Sequence, residues 1–262
     1  MLNTIKTNSI ISIDALKNNC NYCHSAQFCL VRNLKESELL DFNTLVKRRK
    51  PLQRGERLFQ GGDSFFSLYI VYSGSVKTTI ESKDGEEQIT GFYSSGDLIG
   101  VDGFENGQHT YSVEALETSS FCEIPFSLFE DMAKKTPVLQ MQLYRYISRE
   151  ISREQKLMLL LGRMNSRRKL ATFLVTISLQ LQQKGYSACN INLSMTRHDI
   201  ASYLGLSIET VSRILTQLQN EKVLKVTCRN VIIINQRQLH SIANNCPANE
   251  VEVSEIVQKN YP

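Results

Sequence analysis

Apolar positions along the middle of the chain follow a strand-like pattern. From about residue 51 to 125, short apolar or alternating runs such as LYIVYSG and SVKTTIES are separated by turn dipeptides. The dipeptides are Gly61-Gly62, Ser73-Gly74, Asp84-Gly85, Gly96-Asp97 and Asn106-Gly107. Many short strands at this spacing are typical of an antiparallel sheet that forms a barrel or sandwich. The pattern therefore predicts a β-rich domain here.

A helical period replaces the strands over residues 138–163, which contain no proline. Apolar residues recur at spacings of three, four and seven, at Leu143, Ile147, Ile151, Met158 and Leu161. Such a seam is typical of a long helix that packs against another helix. Glu154 interrupts the seam where an apolar residue is expected.

Two interpretations of this helix are open. It packs on its own domain with Glu154 in water, or two copies pair seam to seam across a two-fold axis. In the pair, the two Glu154 carboxylates approach each other, which costs on the order of a few kcal/mol at an effective dielectric constant of about 20. We favour a homodimer that this repulsion weakens, so that a small change in packing switches it.

The segment TRHDIASYLGLSIETVSRILT, residues 196–216, predicts a helix-turn-helix. Thr196 followed three residues later by Asp199 is a helix-start signature. Gly205 permits a tight turn, and Ser207 is suited to cap the second helix. The apolar face consists of Ile200, Ala201, Leu204, Val211, Ile214 and Leu215. The following VLKVTCRNVIIIN predicts two short strands that form a wing.

Polar side chains on the second helix suit the major groove of DNA. Arg213 can donate two hydrogen bonds to guanine, Glu209 can accept one from cytosine, and Ser212 can contact a base or a phosphate. Thr196 and Arg197, at the start of the first helix, complete the predicted DNA-binding set. Residues 164–243 carry 10 Lys and Arg against 3 Asp and Glu, a net charge of +7, while the whole chain has +4. A basic segment on a near-neutral body favours an anionic partner.

Other function classes lack their signatures. No apolar run of about 18 residues predicts a membrane span. The N-terminus lacks the pattern of a secretory signal, so we expect a cytoplasmic protein without a membrane partner. We find no G-x-G-x-x-G, no G-K-[ST] and no His/Asp constellation among the four histidines, so an enzyme is not expected.

Three of the seven cysteines lie in CNYCHSAQFC, residues 20–29. They allow four interpretations: a disulfide, a covalent haem at C-x-x-C-H, a zinc ion or an iron–sulfur cluster. The expected compartment keeps thiols reduced, which disfavours a disulfide. Covalent haem attachment needs export in most systems, and no export signal is found. Zinc and an iron–sulfur cluster remain open on the residues alone.

Barrel-like strands, a long helix and a winged helix-turn-helix, in this order, resemble the CRP/FNR family of bacterial transcription regulators over about residues 20–243. The resemblance implies an α+β fold: an antiparallel β-roll of the cyclic-nucleotide-binding, jelly-roll type, a dimerisation helix and a winged helix-turn-helix. The implied division has five parts: the cysteine segment 1–30, the sensory β-roll 31–137, the dimerisation helix 138–163, the DNA-binding domain 164–243 and a tail 244–262.

Oxygen-responsive members of the family bind a four-iron, four-sulfur cluster through three N-terminal cysteines and one distant cysteine. Cys20, Cys23 and Cys29 match the N-terminal spacing, and Cys122 in ETSSFCEIP matches the fourth position. The resemblance therefore implies a [4Fe-4S] cofactor, which four thiolates can hold. The alternative is a zinc-stapled regulator that senses another signal, since zinc also accepts four cysteines. The remaining thiols and His24 are expected to be bystanders.

The resemblance further implies an oxygen-responsive regulator of anaerobic metabolism. The cluster is expected to promote dimerisation on a palindromic DNA site with half-sites of the TTGAT kind, and RNA polymerase is an implied partner. Related regulators commonly carry Asp where this chain has Glu154. The family's other branch binds cyclic nucleotides through an arginine-containing cassette. The corresponding stretch, GDLIGVDGFENGQHTYSVEA, has no arginine, so we predict no cyclic nucleotide.

Overall fold

The computed structural model describes residues 20–244. Strands occupy the stretch of about residues 51–125 in which turn dipeptides separate short apolar runs. Two antiparallel sheets, with strand orders β1-β8-β3-β6 and β2-β7-β4-β5, form the β-roll. The strands are β1 (Lys47–Arg48), β2 (Arg57–Phe59), β3 (Ser67–Ser73), β4 (Ser75–Glu81), β5 (Glu87–Ser94), β6 (Leu98–Ile99), β7 (Ser112–Ala115) and β8 (Ser120–Pro125). Short 3₁₀ helices lie at Cys20–Tyr22 and Val101–Phe104.

The turn between β3 and β4 shows why a predicted dipeptide matters. Gly74 has a φ of 84°, in the left-handed region that favours glycine. A Cβ atom there would lie 2.6 Å from the Thr118 carbonyl oxygen. The chain can therefore reverse tightly only with glycine, which keeps β3 and β4 in the two different sheets.

Helices surround the roll and continue into the second half of the chain. They are α1 (Glu36–Leu45), α2 (Phe126–Lys135), α3 (Pro137–Arg163), α4 (Ser166–Gln183), α5 (Arg197–Leu204), α6 (Ile208–Asn220) and α7 (Gln236–Asn244). The apolar spacing of LKESELLDFNTLVKR, residues 34–48, predicts one amphipathic helix. The observed helix α1 ends at Leu45, because the chain is extended from Val46 and β1 pairs with β8. Among the described helices, none has a stretch long and apolar enough to cross a membrane.

The long helix α3 is fixed to the β-roll along one face. Leu139, Leu143 and Tyr146 are buried in the same apolar core as residues from β3 and β8. Further along, the Tyr93 hydroxyl donates to Glu150 at 2.9 Å, and the Arg153 guanidinium lies 4.5 Å from the centroid of the Tyr93 ring. These contacts orient α3 relative to strand β5.

The second domain has its own core under a small sheet. Strands β9 (Asn190–Asn192), β10 (Leu224–Thr227) and β11 (Asn230–Ile233) pair antiparallel in the order β10-β11-β9. Buried side chains of α4, α5, α6 and α7 pack beneath them. The predicted wing strands are β10 and β11.

The two domains contact each other through the β4–β5 hairpin. Lys77 of β4 forms an ion pair with Asp199 of α5 at 3.0 Å, and a second with Glu114 at 3.2 Å. The Gln88 amide donates to the Ser202 carbonyl at 2.6 Å. The first helix of the helix-turn-helix is thereby held against the β2-β7-β4-β5 sheet.

The α+β fold class is confirmed: an antiparallel β-roll, a long helix and a winged helix-turn-helix follow in the predicted order. The domain divisions remain predictions. Residues 1–19 of the cysteine segment, most of the tail 244–262, and Cys246 lie outside the described residues.

Candidate metal centre and nucleic-acid interface

Four cysteines meet at one pocket, although the third, Cys29, and the fourth, Cys122, are 93 positions apart in the sequence. Cys20, Cys23, Cys29 and Cys122 all line it. Cys20 and Cys122 are buried, and the other two are half-buried. Apolar side chains including Phe42 and Ile70 complete the wall. The structure thus places around one pocket the four cysteines for which the family resemblance implied a shared role.

Burial disfavours the charged forms of Cys20, Cys29 and Cys122. Burial raises the pKa of Cys20 to about 11, and Cys23 adds to the rise. Burial raises the pKa of Cys122 to about 12, although the Arg48 guanidinium opposes this change. The pKa of Cys29 is also raised, first by burial and then by the three other thiols. A bound cation is therefore needed to hold them as thiolates at neutral pH.

The donor set fits a group with several metal ions. Within residues 20–244, no three His, Cys, Asp or Glu side chains are arranged to hold one metal ion. A four-iron cluster takes one thiolate at each iron, and four cysteines line this pocket. Zinc also accepts four thiolates.

A basic residue that the sequence analysis did not single out lies against the pocket. Arg48 of β1 is directly opposite Cys122 of β8 in the strand register. Its Nη1 donates to Cys122 Sγ at 3.0 Å, and its guanidinium lies 3.7 Å from the centroid of the Tyr72 ring. The only sequence signal was the basic run Lys47 to Lys50. That run gave no indication of the β1–β8 pairing that orients Arg48.

The cysteine segment also contacts the rest of the molecule. The hydroxyls of Ser25 and Ser95 are hydrogen-bonded. The ring of His24 stacks on Tyr186, with centroids 5.9 Å apart. Tyr186 belongs to the DNA-binding half, so the segment contacts both domains. Cys189 and Cys228 are exposed and do not line the pocket.

Capping interactions position the two helices of the helix-turn-helix. Thr196 Oγ1 accepts from the Asp199 amide at 3.1 Å, while the Asp199 carboxylate accepts from the Thr196 amide at 2.7 Å. This is the reciprocal capping box that the sequence predicted. Ser207 caps α6 by accepting from the Thr210 amide at 3.1 Å. Gly205 adopts the left-handed conformation, with φ 59°, between the helices.

Helix α6, the second helix of the helix-turn-helix, buries one side and exposes the other to solvent. Val211, Ile214, Leu215 and Leu218 are buried in the domain core, as expected for the predicted apolar face. Glu209 and Arg213 are exposed, and Ser212 is partly so. Arg197, at the start of α5, donates to the Ser212 hydroxyl at 3.2 Å.

Electrostatics at the start of α6 keep its acid charged. Its own backbone amide and the Ser207 hydroxyl, by hydrogen bonding, lower the pKa of Glu209. The predicted DNA-contacting side chains thus lie together at one end of α6, with Glu209 ready to accept a hydrogen bond.

The apolar seam predicted along α3 has a buried part and an exposed part. Leu143 is buried in the core of its own β-roll, and Ile147 packs against the same core. Ile151 and Met158 are 51% and 73% exposed, and Glu154 is exposed between them. Tyr144 and Met141 extend the exposed apolar stripe toward the start of the helix. Packing within the subunit therefore covers Leu143, Ile147 and, against the core of the second domain, Leu161, and leaves Ile151 and Met158 uncovered.

Comparison with known proteins gives two family models along the chain. Residues 49–136 match the cyclic nucleotide-binding domain, and residues 168–242 match the Crp-like helix-turn-helix domain. The fumarate and nitrate reduction regulatory protein of Vibrio cholerae is 40% identical over 224 residues, covering 86% of this chain and 90% of that protein. The chain belongs to the CRP/FNR family of transcription regulators. A protein of this CRP/FNR family is a DNA-binding regulator and not an enzyme, as predicted.

Other relatives agree with the CRP/FNR assignment. The transcriptional activator protein Anr of Pseudomonas protegens is 42% identical over 224 residues, covering 86% of this chain and 92% of that protein. Among solved structures, FixK2 from Bradyrhizobium japonicum has a TM-score of 0.68 and 29% identity, covering 75% of this chain and 96% of FixK2. The CRP/FNR architecture therefore extends over both domains.

In this CRP/FNR chain, the stretch that corresponds to the nucleotide cassette is filled by its own side chains. His109 is buried, and its ring stacks on Phe59 with centroids 3.6 Å apart. His109 Nδ1 lies 3.3 Å from Asp102 Oδ1, and the Thr110 amide donates to the other Asp102 oxygen at 2.7 Å. The basic residue nearest to the cassette thus has an internal carboxylate partner.

Proposed function

We propose that this regulator senses oxygen through a [4Fe-4S] cluster held by Cys20, Cys23, Cys29 and Cys122, and controls genes of anaerobic metabolism. The observation that carries the proposal is the pocket itself. It joins a sequence-local C-x-x-C-x₅-C set to a distant cysteine, with a guanidinium on the fourth thiol. Such a cluster, when bound, supplies a metal centre that oxygen can dismantle.

The protein itself couples the ordering of residues 20–29 to the packing of the helix next to them. Cys20 packs in the same core as Leu139 and Leu143 of α3. Ligation fixes residues 20–29 against that core, and loss of ligation frees them. The packing beneath α3 therefore differs between the two states.

Dimerisation through α3 follows from its uncovered stripe. Ile151 and Met158 expose apolar area that pairing with a second copy would bury, at roughly 25 cal/mol per Å². Two Glu154 carboxylates oppose this gain at the same seam. Because the two terms oppose each other at the same seam, a change in packing under α3 can shift the balance between single and paired subunits.

The dimer presents two recognition helices to a palindromic DNA site. Two-fold symmetry places the helices α6 one helical turn of DNA apart, about 34 Å. Glu209, Ser212 and Arg213 contact base edges, while Thr196 and Arg197 hold the backbone. RNA polymerase is the proposed protein partner on such sites, since the similar Anr protein is named a transcriptional activator.

Cyclic nucleotide is not a ligand in this proposal. A phosphate needs a fixed cation or a set of backbone donors. Residues 96–115 contain no arginine, and the buried His109 is paired with Asp102 and stacked on Phe59. The β-roll therefore responds to the state of its cysteines.

Metal and sulfide analysis tests the proposal directly. Protein prepared without oxygen is expected to contain four iron and four sulfide per subunit and to absorb visible light. Replacing Cys122→Ser removes one thiolate and is expected to abolish this absorbance. Cys189→Ser, an exposed thiol away from the pocket, is the matched control and should retain it.

Two results would contradict the proposal. Zinc in place of iron would indicate a structural staple and a different signal. A normal spectrum in Cys122→Ser would mean that the fourth ligand is another group.

A further inference from the structure

Arg48 holds a position at the pocket that the proposed ligand set does not explain. The β1–β8 register places it opposite Cys122, so its side chain and the cysteine lie on the same face of the sheet. Its Nη1 donates to Cys122 Sγ at 3.0 Å. The face of the guanidinium lies on the Tyr72 ring at 3.7 Å. The stacking fixes the plane of the guanidinium, and the hydrogen bond directs one edge to the sulfur.

A charge at this place has a defined electrostatic effect. A four-iron, four-sulfur cluster with four thiolate ligands is a net anion, and the pocket wall is largely apolar. A buried anion without a counter-charge is costly. Hydrogen bonds to the sulfurs and net charge are among the factors that determine the reduction potential of such clusters.

The adjacent residue shows that this arrangement is specific to one side of the strand. Arg49, which follows Arg48 on the chain, forms an ion pair with Glu123 at 3.4 Å, with its side chain 45% exposed. Arg49 follows the end of β1, and its partner Glu123 points to the opposite face of β8 from Cys122. Arg48 and Arg49 therefore have the same charge and neighbouring positions, but only Arg48 meets the cysteines.

We propose that Arg48 is a positioning residue of the thiolate centre: it holds the Cys122 thiolate in its ligating orientation and provides the counter-charge that retains the bound cluster. This inference rests on the proposed function. A cluster stabilised in this way is lost more slowly and accepts an electron more readily than one without the guanidinium.

Three variants distinguish the effect of the Arg48 charge from the effect of its planar geometry and from that of basic charge near the pocket in general. A fourth variant is a second test of the charge. Arg48→Met removes the charge and keeps most of the side-chain volume. Arg48→Lys keeps the charge but loses the planar fork and its stacking. Arg49→Met removes the neighbouring charge from the other face. Arg48→Gln is a second neutral variant in case Arg48→Met does not fold, and circular dichroism of the cluster-free proteins establishes folding.

The measurements are made on full-length protein loaded without oxygen. The loss of visible absorbance to an iron chelator under anoxia gives the rate of cluster release, and electrochemical titration gives the reduction potential. Arg48→Met is expected to release its cluster about tenfold faster and to have a lower reduction potential. Arg48→Lys should recover part of both effects, and Arg49→Met should match the wild type.

Wild-type values for both quantities in Arg48→Met, or in Arg48→Gln, would overturn the inference. Faster release with an unchanged potential, and no recovery in Arg48→Lys, would show that Arg48 only supports the fold, which also overturns it. Wild-type protein without iron and sulfide would overturn the proposed function, and the Arg48 inference with it.

Discussion

At the scale of single residues, Asp199 joins a helix cap to a contact between domains. Its carboxylate accepts from the Thr196 amide and hydroxyl at 2.7 and 2.6 Å, and from Lys77 of the β-roll at 3.0 Å. Burial by itself raises the pKa of this carboxyl group. The hydrogen bonds from Thr196 and the charge of Lys77 outweigh burial, so the pKa lies below its ordinary value.

Asp199→Asn is expected to lower the free energy of unfolding by about 2 kcal/mol at pH 7. The variant loses a charge-assisted capping bond and one partner of Lys77, which keeps Glu114. A depressed folded-state pKa gives stability that is present above the unfolded-state pKa and is lost as pH falls through the folded-state pKa. The difference between the two proteins should therefore shrink below about pH 4.

Urea denaturation at a series of pH values measures this difference. Asp84→Asn, an exposed acid in the β4–β5 turn, is the control and should have little effect at any pH. A constant difference between pH 7 and pH 3 for Asp199→Asn would contradict the electrostatic explanation.

Arg213→Ala is expected to cost roughly 1–3 kcal/mol of discrimination between the cognate base and its alternatives. Arg213 is exposed on the solvent face of α6, so its removal should not affect folding. Binding to duplexes that differ at single positions of a TTGAT-type half-site measures the discrimination. Lys225→Ala, on the exposed side of the wing, is the control and should weaken all duplexes equally. An unchanged sequence preference would show that Arg213 takes no part in base recognition.

Some site residues could be predicted from residues close to them in the sequence, whereas others depend on long-range strand pairing. Thr196, Asp199, Gly205 and Ser207 could be assigned from sequence, because capping boxes and left-handed turns depend on residues a few positions apart. Arg48 could not, because its role depends on a strand pairing with residues 74 positions away. The helix predicted over residues 34–48 included Arg48, whereas the β1–β8 pairing places Arg48 in a strand.

At the scale of elements, α3 has two different faces. Leu139, Leu143 and Tyr146 lie in the β-roll core, whereas Ile151 and Met158 are exposed. The helix bounds follow closely from the absence of proline inside the segment and from Pro137 at its first turn. Periodicity alone did not reveal which seam positions the subunit itself would cover, since that depends on the packing of the roll beneath the helix.

Glu154→Ala is expected to raise the dimer fraction of protein exposed to air. Removal of two facing carboxylates lowers the cost of pairing by an amount on the order of a few kcal/mol at close approach, so the dimer dissociation constant should fall by at least about tenfold. Sedimentation velocity over a concentration series gives that constant. Glu130→Ala, an exposed acid on α2, is the charge-matched control. An unchanged dimer fraction in Glu154→Ala would show that repulsion between the two Glu154 carboxylates does not weaken the dimer.

At the scale of the whole molecule, the cysteine segment and the DNA-binding domain share a turn of the β-roll. Ser25 bonds to Ser95, and the Lys184 ammonium contacts Ser94 Oγ at 2.7 Å and Asp97 at 3.1 Å. Lys184 ends helix α4 of the DNA-binding half. Order in residues 20–29 and the position of the second domain therefore depend on the same four-residue turn.

We propose that the state of the four thiolates controls DNA binding, and operator affinity measured on one preparation before and after exposure to air tests this proposal. Under anoxia the protein should be coloured and bind a palindromic duplex tightly, and its affinity should fall strongly as the visible absorbance disappears. Colourless anaerobic protein, or equal operator affinity with and without air, would disprove the proposal.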